Sequence, residues 1–240
     1  MTHRRFLRLA VSLGILATTL VSQAAHGSAS NRLIQPKLFD LLDTAEVAMN
    51  QGNVNKALAY SDLLLLNNTI TYSIDTTAVD AADRAKAAQA VRESVATWEE
   101  ALGYEVRFEE VQGKGGNVRI SFADSVRLMG RDIAGHAVWS RQVFDWGYGN
   151  YTPRVSGEIK VRTMTPEGSP MSEAAWQHTI GHEIGHMLGL WDSPRVGDMM
   201  GPINLKNPVT RPTESEVAAL QDVRAEALQI TQACLALPRR

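Results

Sequence analysis

The stretch 182–202, HEIGHMLGLWDSPRVGDMMGP, holds the most specific pattern in the chain. His182 and His186 stand four residues apart, so on a helix their imidazoles share one face a single turn apart and suit two corners of a tetrahedral zinc site. Glu183 lies about 100° round from His182. A carboxylate beside a metal can hydrogen-bond a water held there and take its proton, which is what hydrolysis of a carbonyl compound requires. A bare H-E-x-x-H pattern arises by chance in about one chain in a hundred of this composition, so the residues that follow decide the matter. Gly189 comes three residues after His186 and Asp192 six after it. Glycine adopts positive φ without steric cost, so the chain can leave the helix at Gly189 and bring Asp192 back as a third protein ligand, with water in the fourth position.

With that glycine and third ligand the run resembles the metzincins, and from His182 to Pro202 it is most similar to the matrixins, peptidases of the matrix metalloproteinase type. The resemblance implies a zinc-dependent endopeptidase that hydrolyses polypeptides, with His182, His186 and Asp192 on the metal and Glu183 as general base. Matrixins carry a methionine eight residues after the third ligand and a proline two residues later; Met200 and Pro202 stand at both spacings. Met200 is thereby assigned as the apolar floor of the site, with Met199 the weaker candidate.

Two positions depart from the matrixin pattern. The usual third ligand is histidine, whereas aspartate occurs in some metzincins, the snapalysin group among them, and zinc accepts a carboxylate oxygen at about 2.0–2.2 Å. The carboxylate lowers the positive charge of the site, so the activity optimum should lie at higher pH than in Asp192→His. Superimposable pH–rate profiles of the two proteins would count against this. Gly201 stands where some metzincins have tyrosine, so no hydroxyl from that position can help to stabilise an oxyanion.

Working outward, Ser169 can cap the motif helix with Pro170 at its first position and Glu173 in its first turn, which makes 176–188 helical. Before it, Leu38–Met49 and Val54–Leu66 read as a helical hairpin joined by Asn50-Gln51-Gly52-Asn53. Ile70–Ile74 alternates as a strand does, and Asp80–Leu102 repeats apolar residues at helical spacing. Glu105–Val111 and Asn117–Phe122 read as strands. The glycine-rich and aromatic run 130–152 suggests long loops around a short strand at Gly135–Trp139. Gly157–Arg162 gives one more strand, the expected sheet edge for an extended substrate. Thr213 with Glu216 three residues on caps a closing helix through Val217, Leu220, Val223 and Leu228. The expected fold class is α+β: a metzincin-like domain with a twisted mixed sheet, a backing helix, an active-site helix and a C-terminal helix, preceded by a small helical hairpin. The resemblance extends over about residues 70–230 and is strong only in 182–202.

Three segments are expected: a signal peptide at 1–25, a helical segment at 26–69 serving as pro-segment or accessory hairpin, and the peptidase domain at 70–240. Residues 1–25 hold Arg4, Arg5 and Arg8 and an apolar run from Leu9 to Val21, ending in small residues that include Ala24 and Ala25. That run of 13 residues is shorter than the roughly 20 needed to span a bilayer, so it reads as a cleaved export signal and not an anchor. A secreted or periplasmic location follows. The formal charge of −2 becomes −5 without residues 1–25, since 21 basic residues then face 26 acidic ones; this balance argues against nucleic acid as a partner. Cys234 is the only cysteine, so no intramolecular disulfide can form and no upstream thiolate can silence the metal as in many matrixin zymogens. His178 reads as a surface or capping residue. His136 reads as a loop histidine, since a structural zinc site needs about four ligands. Two other functions compete: a metzincin fold kept as a catalytically silent binding module, against which Glu183 argues, and a narrow-specificity zinc amide hydrolase.

Overall fold

Alternating apolar residues build a five-stranded sheet. In chain order the elements are α1 (Pro36–Asn50), α2 (Val54–Leu65), β1 (Ile70–Asp75), α3 (Arg84–Ala101), β2 (Phe108–Glu110), β3 (Val118–Ala123), β4 (Val126–Leu128), β5 (Arg131–Ile133), β6 (Gly135–Asp145), β7 (Tyr151–Arg162), α4 (Glu173–Leu188) and α5 (Glu214–Ala236). The computed structural model describes residues 32–113 and 115–237, and the signal-peptide pattern lies outside them. The sheet order is β2-β1-β3-β7-β6, parallel except for the antiparallel pair β6–β7. This mixed sheet with its helices is the α+β architecture expected. Among the described residues, no helix is long and apolar enough to cross a membrane.

The edge strand differs from the expectation. Gly157–Arg162 belongs to β7, which bonds β3 on one side and β6 on the other, so the sheet ends in β6 on that side and in β2 on the far side. Nor is the region before it mostly loop: β6 and β7 run together for 11 register pairs, closed by a turn with positive φ at Gly147, Tyr148 and Gly149. Beyond Trp139 Val143 and Val155 still pack against the core, while Phe144, Trp146 and Tyr148 are exposed. Burial still alternates there, but an arginine, Arg141, takes an inward position and an aromatic, Phe144, an outward one, which is why the strand pattern fades in sequence. The N-cap and first turn of α2 pin the ribbon: Asn53 Nδ2 donates to the Tyr151 hydroxyl at 3.1 Å, and Asn55 Nδ2 donates to Gly149 O at 3.0 Å.

Helices α3 and α4 lie along each other, with fully buried Trp98 donating its indole N–H to Gly181 O at 2.8 Å. The hairpin α1–α2 packs on α5 and against β7. Its inward residues Leu38, Leu41, Leu42, Ala45, Ala57, Leu64 and Leu65 join the same core as Ile120, Ile159, Ile184 and Leu220. Buried Arg141, on β6, ties these layers together. Its guanidinium donates to Leu63 O at the end of α2 and to Met187 O and Leu188 O at the end of α4, at 2.8–2.9 Å. A cation there complements two helix C-termini. Burial, with a lesser push from Arg224, brings its pKa down to about 9, still charged at neutral pH. Cys234 is buried in α5, as a packing residue should be.

At the end of β1, Asp75 accepts from the Thr77 hydroxyl at 2.6 Å and from Arg119 at 2.6 Å. The Thr77 hydroxyl, then Arg119, lower its pKa from 3.8 to about 2. A lowered folded pKa stabilises above the unfolded value, and that contribution disappears as pH falls through the folded one. Asp75→Asn should therefore lose less stability than the parent between about pH 4 and about pH 2. Denaturant melts at those two pH values would show it, and equal losses would contradict it.

Candidate metal centre

Helix α4 starts later than its sequence suggests. Ser172, not Ser169, is the N-cap, its hydroxyl accepting from Ala175 N at 3.2 Å. Residues 163–171 fold back on themselves, with Thr165 N bonded to Ser169 O, Met171 N bonded to Thr163 O, and a bridge between Met164 and Pro170. Pro170 is thus held in extended chain and cannot open the helix.

Gly181 and Gly185, a turn apart, leave a groove on α4 that two methionines fill. A Cβ at Gly185 would lie 2.3 Å from Met200 Sδ, and one at Gly181 would lie 2.9 Å from Met199 Sδ. Both methionines are buried beneath the helix. Met200 packs against Gly185 of the histidine-bearing turn, and Met199 lies beside it, its carbonyl accepting from His182 Nδ1 at 3.0 Å. The helix ends at Gly189, with φ of 113°, its N–H bonded to Gly185 O and His186 O. The next residues turn back and set Asp192 against the two histidines. A loop follows in which Ser193 N donates to Met200 O, and the Ser193 hydroxyl donates to Asp198 Oδ2 at 2.6 Å. A Cβ at Gly201 would stand 2.0 Å from Arg195 O. This turn has no room for a tyrosine at that position.

His182, His186 and Asp192 converge, with their donor atoms all within 4.8 Å of one another. Asp192 Oδ1 is 3.2 Å from His182 Nε2 and 3.3 Å from His186 Nε2. Ligands at about 2.0–2.1 Å from a tetrahedral zinc are separated by about 3.3 Å, so both separations fit. Protonation fits as well. Each Nδ1 faces a carbonyl, His182 that of Met199 and His186 that of Leu190 at 3.0 Å, so each Nδ1 carries the proton and donates. A neutral ring in that tautomer turns a bare Nε2 lone pair toward the carboxylate, an arrangement that calls for a cation between them. Without a metal a proton can fill that role. Burial lowers the His186 pKa, but the hydrogen bonds to Asp192 and Leu190 O outweigh it and raise the net value, while bonds from His182 and then His186 hold Asp192 well below the usual carboxylate range.

Glu183 points to one side of this cluster. It is 5% exposed, and burial, opposed by the nearby histidines, raises its pKa. Gly135 on β6 permits the approach, since a Cβ there would lie 2.9 Å from Glu183 Oε1 and 2.6 Å from Thr179 Cγ2. His178 is not a surface residue: it is buried, with Nδ1 at 2.9 Å from Val209 O, and burial lowers its pKa. The segment after the methionines covers that flank of α4, which a helical pattern cannot foretell. His136 lies on β6 and not in a loop, and it lines the cleft.

The cleft holds about 500 Å³ in front of these groups. Pro202 and Ile203 line it, as expected of the segment after the methionines, but Leu128, Ile133 and Trp139 from β4–β6 line it too. Two supporting residues escaped the sequence reading. Glu216, fully buried, completes its capping box and also accepts from Met200 N at 2.7 Å and Met199 N at 3.3 Å. The cap was legible, but not its reach across to the methionines. Gln35, just before α1, lines the cleft with no motif to announce it.

Among known families, the model of the matrixins matches residues 65–224, two thirds of the chain, from the end of α2 into α5. A search of curated proteins finds no match.

Proposed function

The chain belongs to the matrixin family of zinc peptidases, and from that premise we propose that it is a secreted endopeptidase in which His182, His186 and Asp192 hold the zinc and Glu183 is the general base. The observation that carries this reading is the convergence of two Nε2 atoms on one carboxylate oxygen, at 3.2 and 3.3 Å, with a buried carboxylate beside them.

Bound zinc would polarise the scissile carbonyl and acidify the attacking water. The chain's own groups do the rest. The β6 edge offers unpaired backbone groups on which an extended polypeptide can lie as a sixth strand. Glu183 accepts the proton of the attacking water and passes it to the departing amine, and its raised pKa makes it a stronger base than a solvated carboxylate. Met199 O and Leu190 O keep the two imidazoles in the tautomer that presents Nε2. With Gly201 in place of a tyrosine, no hydroxyl from that position takes part. Export rests on the pattern of residues 1–25.

Asp192→Ala should lower zinc affinity at least 100-fold, on the order expected when one of three protein ligands is lost, and abolish cleavage of an unstructured protein. Zinc content after dialysis and a fluorescent-casein assay, each with and without chelator, would test this. Full zinc retention in Asp192→Ala would remove it from the ligand set. Zinc binding by the parent with cleavage of short peptides alone would favour the narrow-specificity hydrolase.

A further inference from the structure

The segment that precedes α1 meets the metal loop at the point where α4 ends. Residues 33–35 lie antiparallel to 189–191: Trp191 N donates to Leu33 O at 2.6 Å, Gln35 N donates to Gly189 O at 2.8 Å, and Ile34 bridges Leu190. The buried Gln35 side chain adds a second layer. Its amide Nε2 donates to Leu190 O at 2.7 Å and to His186 O at 3.2 Å. Leu190 O is also the acceptor of His186 Nδ1–H. One oxygen thus receives both the ring that must present its other nitrogen to the metal and the amide that holds that oxygen still. Leu38, one turn into α1, fills the space over Gly189, where an added Cβ would come within 2.2 Å of Leu38 Cδ2.

Resting on the metallopeptidase reading above, we propose that Gln35 is a positioning residue of the metal centre, orienting His186 and the Gly189–Asp192 turn, and that residues 32–65 are a permanent part of the peptidase unit. An inhibitory segment would place a group on the metal or along the β6 edge. Here the Gln35 amide is spent on two carbonyls, and the backbone of 33–35 is spent on the turn that carries Asp192. The apolar faces of α1 and α2 are buried with α5 in the common core, so their departure would uncover it instead of opening the cleft.

Gln35→Met, made in the full chain, keeps the length of the side chain and removes both donors. Zinc affinity, read by competition with a chromogenic chelator, should fall about 10–100-fold, as is usual when a group that orients a ligand is lost. The visible absorption of the cobalt-substituted protein should shift as the His186 geometry relaxes, a change that lowered stability alone would not produce. Parental affinity together with an unchanged cobalt spectrum would overturn the role of Gln35. In a second arm, a protease site placed at Asn67-Asn68 is cut after folding. The hairpin should stay bound, with zinc content unchanged and no gain in cleavage. Release of the hairpin from a remainder that keeps its zinc and cleaves faster would overturn the proposal, and this arm decides it should Gln35→Met fail to fold. A parent that binds zinc but cleaves nothing would defeat the peptidase reading alone, because affinity, cobalt spectrum and hairpin retention would still report on Gln35.

Discussion

Glu183→Ala should bind zinc as the parent does and cleave an unstructured protein about 10²–10⁴-fold more slowly, the range over which a positioned general base contributes. Geometry separates the two readouts. The carboxylate of Glu183 is not among the three converging donors, and it stands a third of a turn round α4 from His182. Its removal should therefore leave metal affinity intact while no other group takes the water's proton. Glu183 lines the open cleft, so water can enter the space it vacates and the fold should tolerate the change. Single-turnover rates with zinc content measured on the same sample would give the answer. A variant that keeps its zinc and most of its activity would take the base role away from Glu183, and one that loses zinc would mean that the carboxylate helps to hold the metal.

The largest loss of stability is expected from Glu216→Ala. Its carboxylate accepts from Thr213 N at 2.6 Å and the Thr213 hydroxyl at 2.9 Å, both partly buried, and from Met200 N at 2.7 Å and Met199 N at 3.3 Å, both buried. Alanine leaves at least two buried backbone donors unpaired, at about 1–3 kcal/mol each, and also removes the Glu216 half of the α5 capping box, while Thr213 remains the N-cap. A total on the order of 3–5 kcal/mol should lower the melting temperature of the zinc-free chain by roughly 6–20 °C. The loss should reach the metal as well, because Met199 offers its N–H to Glu216 and its carbonyl to His182. Weaker zinc binding should accompany the lower melting temperature. Glu216→Gln, which keeps one acceptor oxygen, should fall between the two, and a melting temperature of Glu216→Ala equal to the parent's would refute the argument.

Much of the chain is legible where local rules and burial agree. The hairpin helices lie within a few residues of their expected ends, because Leu38, Leu41, Leu42 and Ala45 keep helical spacing against a single packed face. The strand at 70–75 alternates because its two sides face different surroundings. Reading fails where long-range pairing competes. Pro170 can begin a helix by its own preference, yet its bridge to Met164 holds it extended. In half of the β6–β7 ribbon a buried arginine, Arg141, and an exposed aromatic, Phe144, cross the apolar pattern, so it looks like loop although its ladder is continuous.

The candidate donor set is legible in one short stretch: two histidines a turn apart, a glutamate beside them, a glycine able to take a φ of 113°, an aspartate three residues beyond it, and methionines at a fixed distance. Each of these depends on spacing along one short stretch, where helix geometry and the freedom of glycine leave few alternatives. Which strand forms the edge of the sheet, how Glu216 reaches the methionines and why Gln35 stands behind His186 were decided only by the tertiary structure. Those contacts join residues far apart in the chain, 151 positions in the case of Gln35 and His186. No local preference encodes such a pairing; it arises when the hairpin, the sheet and two helices bury their apolar faces in one core and their remaining polar groups must find partners where they meet.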